Sequence, residues 1–309
     1  MKMRTNFSYF ILFAFLTACS SGEKKEIKDS NMPKDLDEAM SGIEQTTSKA
    51  EVKFDRNNDY FADVKNSNDA LTQESLARFE DAKLDIAIDS TDPLAQGVGY
   101  CYKKDFNRGL AVLKKIFAQF SKNPAYFNQL GTCYYLKSDF IKASLYYNKA
   151  LDLDKNYAPA WNNLGVLYLK EKEDHKAREN FQKAISMGTF SKTPRFNLAQ
   201  IYLQYGYVEE AFDIFNGLYS SSSNDPDIII GLANAYLFKG EPGKAINLFK
   251  GLDTNFFKRP DAGLNYAVAL QLTGDSNGAK LIYRRVETAR LSSWGVYYKR
   301  VGQLIGGEL

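Results

Sequence analysis

Residues that usually build catalytic and metal sites are scarce in this chain. Its 309 residues include one histidine and three cysteines, too few for the usual zinc sites or for a choice of nucleophile–histidine pairs. The single histidine, His175, lies in the polar segment KEDHKARE, where we expect an exposed, solvated side chain. There is no glycine-rich phosphate loop followed by lysine, and no carboxylate pair that supports a hydrolase. We therefore expect a non-enzymatic protein without cofactor or metal.

No apolar run is long enough to cross a membrane as a helix. The run from Phe7 to Ala18 is roughly a dozen residues, against the ~20 that a spanning helix needs. Lys2 and Arg4 precede it, and small residues end it, which is typical of a secretory signal peptide. A signal peptide with an incidental cysteine and a buried N-terminal helix are the alternatives to the interpretation that follows.

The end of this run, Leu16-Thr17-Ala18-Cys19, resembles the bacterial lipobox. The resemblance implies that residues 1–18 are removed and that Cys19 becomes a lipidated N-terminus carrying acyl (palmitate-type) chains. Several acyl chains suffice for stable anchoring. Ser20 follows the cysteine instead of aspartate; by resemblance to enterobacterial sorting, this favours an outer-membrane lipoprotein of the bacterial envelope that faces the periplasm.

Charge and the remaining cysteines limit the partners further. Loss of residues 1–18 removes Lys2 and Arg4 and lowers the formal net charge from +3 to +1. A near-neutral chain gives no electrostatic case for nucleic acid. Cys101 and Cys133 lie in apolar helical patterns, where we expect buried thiols. A disulfide in an oxidising periplasm is the alternative.

Residues 19–70 differ in composition from the rest of the chain. They are rich in Lys, Glu, Asp, Ser and Asn and have no sustained apolar period. Such a segment buries too little apolar surface to offset the entropy of ordering, so we predict a mostly disordered tether. Its end-to-end distance would be roughly 40 Å.

The rest of the chain has a 34-residue period, visible in four columns of similar residues. One column is tyrosine and a second is glycine or alanine; a third is alanine after Gly109, and a fourth is large and apolar. The columns are Tyr100, Tyr134, Tyr168, Tyr202, Tyr236 and then Leu270; Gly97, Gly131, Gly165, Ala199, Ala233 and Ala267; Ala143, Ala177, Ala211, Ala245 and Ala279; and Leu113, Tyr147, Phe181, Phe215, Phe249 and Tyr283.

This period and these columns resemble the tetratricopeptide repeat (TPR). The segment Trp161-Asn-Asn-Leu-Gly-Val-Leu-Tyr168 matches the opening pattern of that repeat in full. The resemblance implies six helix pairs over residues 90–293, with repeats starting at 90, 124, 158, 192, 226 and 260. Residues 71–89 and 294–309 are predicted to form N- and C-terminal capping helices. The expected fold class is all-α, a right-handed superhelical solenoid of six TPR pairs.

In such arrays the first helix of each repeat lines a concave groove. The resemblance therefore implies a peptide-binding lining that is mostly apolar with scattered amides and lacks the lysines of carboxylate-clamping relatives. Asn163, Asn197 and Asn265 match a family-typical asparagine and are expected to be structural. The candidate groove residues are Asn128, Thr132, Tyr135, Asn162, Leu169, Phe196, Gln200, Leu203 and Asn234.

These features predict a lipid-anchored scaffold or adaptor that binds a protein segment and assists assembly of an envelope complex. The expected partners are proteins of the periplasm or outer membrane, with no small-molecule substrate. Repeats on a lipid anchor resemble the pilotins of type IV pilus secretins, although the long tether departs from them. An adaptor for peptidoglycan hydrolases and proteases, and a self-associating structural spacer, are the alternatives.

Overall fold

A computed structural model describes residues 81–187, 192–290 and 294–306. Every regular element in these three ranges is a helix, with no strand among them, which confirms the all-α class. The predicted signal peptide, Cys19, the tether and the first part of the predicted N-terminal cap lie outside the described residues. The chain divides into two compact units, and the boundary falls between Pro194 and Arg195.

The first unit contains seven complete α-helices among its described residues. Successive helices from α2 onwards pack as pairs, α2 with α3, α4 with α5, and α6 with α7. The helices are α1 (Asp81–Ile88), α2 (Pro93–Tyr102), α3 (Phe106–Phe120), α4 (Pro124–Leu136), α5 (Phe140–Leu153), α6 (Ala158–Lys170) and α7 (Asp174–Ser186); α8 (Lys192–Gln204) spans the boundary.

The second unit continues with helices α9 to α14 and two short 3₁₀ helices. The pairs α10–α11 and α12–α13 pack together, and α14 packs on α12. The elements are α9 (Val208–Ser221), α10 (Pro226–Phe238), α11 (Pro242–Lys250), a 3₁₀ helix (Thr254–Lys258), α12 (Pro260–Leu272), α13 (Ser276–Tyr283), a 3₁₀ helix (Thr288–Arg290) and α14 (Gly295–Leu304).

Glycines allow close packing within the pairs of the first unit. A Cβ on Gly131 would lie 2.7 Å from the Tyr147 ring, and one on Gly165 would lie 2.5 Å from the Phe181 ring. Both rings are completely buried. Each large buried side chain contributes roughly 2–3 kcal/mol to folding. The small column therefore faces the large apolar column in these two pairs.

The turns within the pairs share one backbone feature at the 34-residue spacing. A residue with positive φ stands at the same repeat position in all six turns, in the left-handed region that L residues avoid. In each turn, the residue after the positive-φ residue donates its backbone N–H to the carbonyl oxygen five residues earlier, as Asp105 does to Tyr100. The positive-φ residues are Lys104, Ser138, Lys172, Gly206, Gly240 and Gly274.

The last pair of the second unit departs from the pattern for a steric reason. Gly263 occupies the column that holds Trp161 in the third repeat. A Cβ on Gly263 would lie 2.2 Å from the carbonyl oxygen of Phe257, in the 3₁₀ helix that precedes α12. The backbone of that helix therefore fills the space of a tryptophan side chain, so glycine is required.

Candidate protein-binding site

The predicted groove residues of the first unit differ in exposure. Asn128, Thr132 and Asn162 are fully buried, whereas Tyr135 and Leu169 are half-buried. Helix α4 is buried on all its faces from Pro124 to Cys133. A partner could contact the three buried side chains only if their covering moved. Peptide binding by these residues stays a prediction, and the structure places Tyr135 and Leu169 as its accessible members.

A cluster of amides joins α4 to α6. Asn163 Nδ2 donates to Asn128 Oδ1 at 2.9 Å, and Asn162 Nδ2 donates to Asn163 Oδ1 at 3.2 Å. Asn163 therefore has the structural role expected of it. Asn128 Nδ2 and both polar side-chain atoms of Gln129 have no hydrogen-bond partner among the described residues. Gln129 is 1% exposed, and a buried amide without partners costs stability.

In the second unit, the predicted residues again divide by exposure. Gln200 is exposed, whereas Leu203 and Asn234 are buried. Phe196 is half-buried, and its ring packs edge-on against Phe215 at a centroid distance of 5.6 Å. Gln200 is therefore the member of this set with the most surface for a partner.

An ionic cluster lies beside Asn234, between α10 and α12. Arg259 donates from Nη1 to Asp227 at 2.7 Å and from Nη2 to Asp261 at 2.6 Å. Asn234 Nδ2 donates weakly to the Asp261 carbonyl at 3.4 Å, and its Oδ1 has no partner among the described residues. Asn265 donates to the same carbonyl at 3.1 Å. The polar side chains here hold successive repeats together.

Cys101 and Cys133 form a disulfide with a Cα–Cα distance of 5.2 Å. The expectation of two buried thiols is therefore wrong. The bond joins α2 to α4, the first helices of consecutive pairs. The two residues are separated by 32 positions, two short of the 34-residue period, so the repeat columns gave no direct sign that their side chains meet. Gly109 makes room for the bond, since a Cβ there would lie 2.5 Å from Cys101 Sγ.

Burial determines the titration behaviour of the tyrosines near the first-unit site. Burial raises the pKa of Tyr147 well above its ordinary value, although a contact with Thr132 Oγ1 at 3.3 Å acts in the opposite direction. Burial also raises the pKa of Tyr135. Both therefore stay neutral and present a hydroxyl group to their surroundings.

His175 is exposed, as predicted. Its side chain is 71% accessible, and its Nδ1 lies 3.4 Å from Glu179. Among the described residues, no group of three or more His, Cys, Asp or Glu could hold a metal ion. None of the described helices is long and apolar enough to span a bilayer.

The sequence interpretation missed Gln129 and Arg259. Gln129 stands at the repeat position of Asn163 and Asn197, so the recurrence of amide side chains at this position could have indicated it. Arg259 directly precedes Pro260 and lies two residues before the recurrent aspartate Asp261, a pairing that charge patterning could have indicated.

Two models of the tetratricopeptide repeat match the chain, one over residues 124–157 and the other over residues 146–179. These ranges include α4 to α6 and the start of α7. The chain therefore contains tetratricopeptide repeats, a repeat class whose members bind protein partners. No curated protein matches the sequence significantly.

Several solved structures share the fold. PilF of Pseudomonas aeruginosa aligns with a TM-score of 0.56 and 18% identity over 71% of this chain and 98% of its own. PilW, a type IV pilus biogenesis factor, aligns with a TM-score of 0.52 and 17% identity over 68% of this chain and 94% of its own. A chain of the Cut9–Hcn1 complex aligns with a TM-score of 0.54 and 18% identity over 73% of the present protein. The present protein spans only 46% of the length of that chain.

Proposed function

We propose that this protein is an outer-membrane lipoprotein that uses its TPR array to bind a protein segment in the periplasm. Binding would assist the assembly of an envelope complex, and no catalysis is involved. The observation that carries protein binding is the presence of the repeats themselves, matched over residues 124–179. Anchoring rests on the lipobox-like residues that end at Cys19.

The disulfide supports export. Disulfides persist in oxidising compartments such as the periplasm and are rare in the reducing cytosol. Cys101 and Cys133 are paired, which agrees with the signal-peptide pattern at the N-terminus. Two independent features of the chain therefore favour an extracytoplasmic location.

Type IV pilus assembly is our candidate process. PilF and PilW have the same fold at 18% and 17% identity, a level at which the likeness concerns the fold and the pilus role comes by analogy. A secretin or another envelope protein is the class of partner that this analogy favours.

The region around Asn128 and Gln129 in the first unit is our candidate binding region, because amide atoms there have no hydrogen-bond partner among the described residues. Asn128 Nδ2 and the Gln129 amide are buried without hydrogen bonds, which leaves donors and an acceptor to which a peptide backbone could bond. Tyr135 and Leu169 offer half-buried apolar surface nearby on α4 and α6. A segment bound here would displace the present covering of α4 and satisfy these groups.

The anchor can be tested separately from binding. Wild type and Cys19→Ser are expressed in a bacterial host, and membranes are washed with salt. We expect wild type to sediment with outer membranes and the variant to be released. A Cys19→Ser protein that stays with the washed membranes would refute lipid anchoring.

Partner binding is tested by Gln129→Leu, with Gln119→Leu, at an exposed glutamine of α3 in the same unit, as the surface control. Gln129→Leu removes unsatisfied polar atoms, so the free protein should be at least as stable as wild type. Cross-linking in native membranes should then lose wild-type partners with Gln129→Leu and retain them with Gln119→Leu. Recovery of the same partners by both variants would exclude Gln129 as a contact.

A further inference from the structure

The outward face of α3 in the first unit carries lysines and no acid. Within its bounds the helix has three cations and no acid, the largest positive balance among the second helices of the pairs. Arg108 pairs with Asp105. Lys114 and Lys115, and Lys122 just beyond the helix, are exposed and form no ion pair with any described residue. Their charge is therefore available to carboxylates from elsewhere.

Two alanines make the middle of this face shallow. Ala111 and Ala118 are both exposed and lie seven residues apart, about two helical turns, on one side of α3. The opposite side of the helix holds the buried Leu113 and Phe117. The outward face thus combines a low apolar strip with lysines beside it, and another helix could approach it closely.

One segment that precedes the described residues has the complementary charge. Residues 35–48 contain four acids and no cation, whereas every other stretch between cations in residues 19–80 has at most two acids. The four acids are Asp35, Asp37, Glu38 and Glu44. Charge complementarity with α3 therefore favours this segment over the rest of the chain that leads to α1.

The same segment has the pattern of an amphipathic helix. Leu36, Met40 and Ile43 recur at helical spacing. Pro33 precedes them and acids follow it at once, which is typical of a helix N-terminus. An isolated helix this short is marginal in water, and Gly42 weakens it further. The predicted helix therefore needs a surface that covers its apolar side and pairs with its acids.

The chain is long enough for this segment to reach α3. Residues 45–80 separate the segment from α1, and a flexible chain of that length spans roughly 33 Å. Helix α1 packs on α2, which is paired with α3, and the 15 residues of α3 extend about 22 Å. Because the link is covalent, the segment is present near α3 at an effective concentration on the order of millimolar, so weak contacts suffice.

We propose that residues 35–44 dock on the outward face of α3 as a short helix. Their acids pair with Lys114, Lys115 and Lys122, and their apolar side covers the alanine strip. The contact lies within one chain and does not involve the binding region proposed around Gln129.

Docking would give the tether two lengths, a consequence that rests on the proposed lipid anchor at Cys19. With the segment docked, only residues 19–34 connect the lipid to the folded array, and their end-to-end distance is roughly 22 Å. With the segment released, the whole tether of roughly 40 Å is available. Release from α3 would therefore let the array reach a more distant partner.

Zero-length carbodiimide cross-linking tests the contact. The reagent joins a lysine amine and a carboxylate as an amide and takes up the water that is lost, so only groups in contact are coupled. Full-length protein is purified in detergent, coupled and digested, and mass spectrometry locates the joined residues. We expect links from Lys114, Lys115 or Lys122 to acids of residues 35–44. Their yield should fall about fivefold or more in 1 M salt, where the Debye length is about 3 Å.

An equal mixture of isotope-labelled and unlabelled protein shows whether each link lies within one chain. Links that join labelled to unlabelled protein would assign the face to a second copy and overturn the proposal. Links from these lysines to other carboxylates alone, or no links, would also overturn it. The measurement needs no membrane, so such a result would leave the sedimentation test of Cys19 unaffected.

Charge reversal on both sides provides the specific test. Replacing Lys114 and Lys115 together by glutamate should lower the yield of links from Lys122 about fivefold or more, because like charges then face each other. Adding Asp37→Lys and Glu44→Lys to that variant should restore coupling between the two regions to within about twofold of wild type. Circular dichroism checks that each variant is folded. Absence of this rescue in folded protein would refute the pairing.

The matched control replaces Lys155 and Lys170 together by glutamate. Both are exposed lysines of the same unit without an ion pair to any described residue, and the change in overall charge is the same. Links between α3 and residues 35–44 should stay within about twofold of wild type. An equal loss in this control would show that overall charge, and not the face of α3, determines the coupling.

Discussion

Arg259 and Asp227 form an ion pair across 32 residues of sequence, with Nη1 and Oδ1 2.7 Å apart. Arg259 also bonds to Asp261 through two nitrogens. Its side chain is 14% exposed, whereas that of Asp227 is 41% exposed. The pair therefore joins the beginnings of α10 and α12 at the edge of the core.

Loss of this guanidinium should weaken the second unit. We expect Arg259→Gln to lower the free energy of unfolding by about 1–2 kcal/mol, because charged hydrogen bonds are lost while solvent screens part of the effect. Urea unfolding measures the change. Arg285→Gln, at an exposed arginine of the same unit, should remain within about 0.5 kcal/mol of wild type; equal losses would contradict a specific role for Arg259.

The disulfide should stabilise the first unit. Replacing both Cys101 and Cys133 by alanine should lower its free energy of unfolding by about 3–4 kcal/mol, given the 32-residue separation. Trp161 reports on this unit once Trp294 is replaced by phenylalanine. Protein isolated from the periplasm should also contain no free thiol at either position; quantitative alkylation of both under denaturing, non-reducing conditions would show that the bond is absent.

Two glycines should respond in opposite ways to alanine. Gly263→Ala forces a Cβ to within 2.2 Å of the Phe257 carbonyl oxygen and should destabilise the protein by about 1–3 kcal/mol. Gly217→Ala meets open space on α9 and should stabilise by about 1 kcal/mol through helix propensity. Thermal melts of both variants, made in the same background, provide the comparison. A neutral Gly263→Ala would mean that the 3₁₀ helix readily moves away.

The recurring left-handed turn offers a gain in stability. Ser138 has φ of 68°, at the repeat position that Gly206 occupies with φ of 78°. Ser138→Gly should stabilise by about 0.5–1 kcal/mol, since the strain exceeds the entropy cost of glycine. Gly206→Ala should destabilise by about 1 kcal/mol. Chemical denaturation of the two variants should give changes of opposite sign.

Buried tyrosines should make the fold sensitive to alkali. Burial raises the pKa of Tyr297 and Tyr147 well above their ordinary value. In the unfolded chain each would lose its proton near pH 10. The folded state retains its proton longer, so stability is unaffected below about pH 10 and falls above it, by up to about 1.4 kcal/mol per pH unit for each residue.

Tyr297→Phe isolates one of these contributions. It removes the hydrogen bond to Asn265 Oδ1 at 2.8 Å and should cost about 1 kcal/mol at neutral pH. Above pH 10 its stability should fall less steeply than that of wild type. Parallel slopes in urea titrations across this pH range would show that Tyr297 ionises normally.

The repeat columns allowed much of the fold to be predicted. Gly165 and Phe181 recur with the period because each pair repeats the same internal geometry, in which the two residues meet. Contacts between non-equivalent repeat positions were harder to predict from the sequence, since they depend on how one helix pair is rotated against the next. Cys101 and Cys133 illustrate this limit. The 3₁₀ helix at Thr254–Lys258 interrupts the repeat pattern locally. The glycine at position 263, in the column of Trp161, was its only indication in the sequence.

The candidate site was less predictable because the repeat pattern gives a residue's position but not what covers it. Asn128 and Asn162 stand at groove positions, yet their side chains are fully buried. Conversely, two exposed residues of the second unit break the repeat pattern: Tyr207 stands where the five other repeats have an acid, and Glu210 stands where four of them have a cation. Departures from a repeat pattern are thus informative about surfaces, whereas agreement with it is informative about the core.

The bond between Cys101 and Cys133 also affects the order in which the array comes apart. In repeat proteins each pair is held by its neighbours, and end pairs, with one neighbour, fray first. A covalent link from α2 to α4 prevents the first pair from detaching while the second stays folded. When its packing loosens, the first pair therefore stays tethered beside α4, and it can return to its place there without having to find the second pair again.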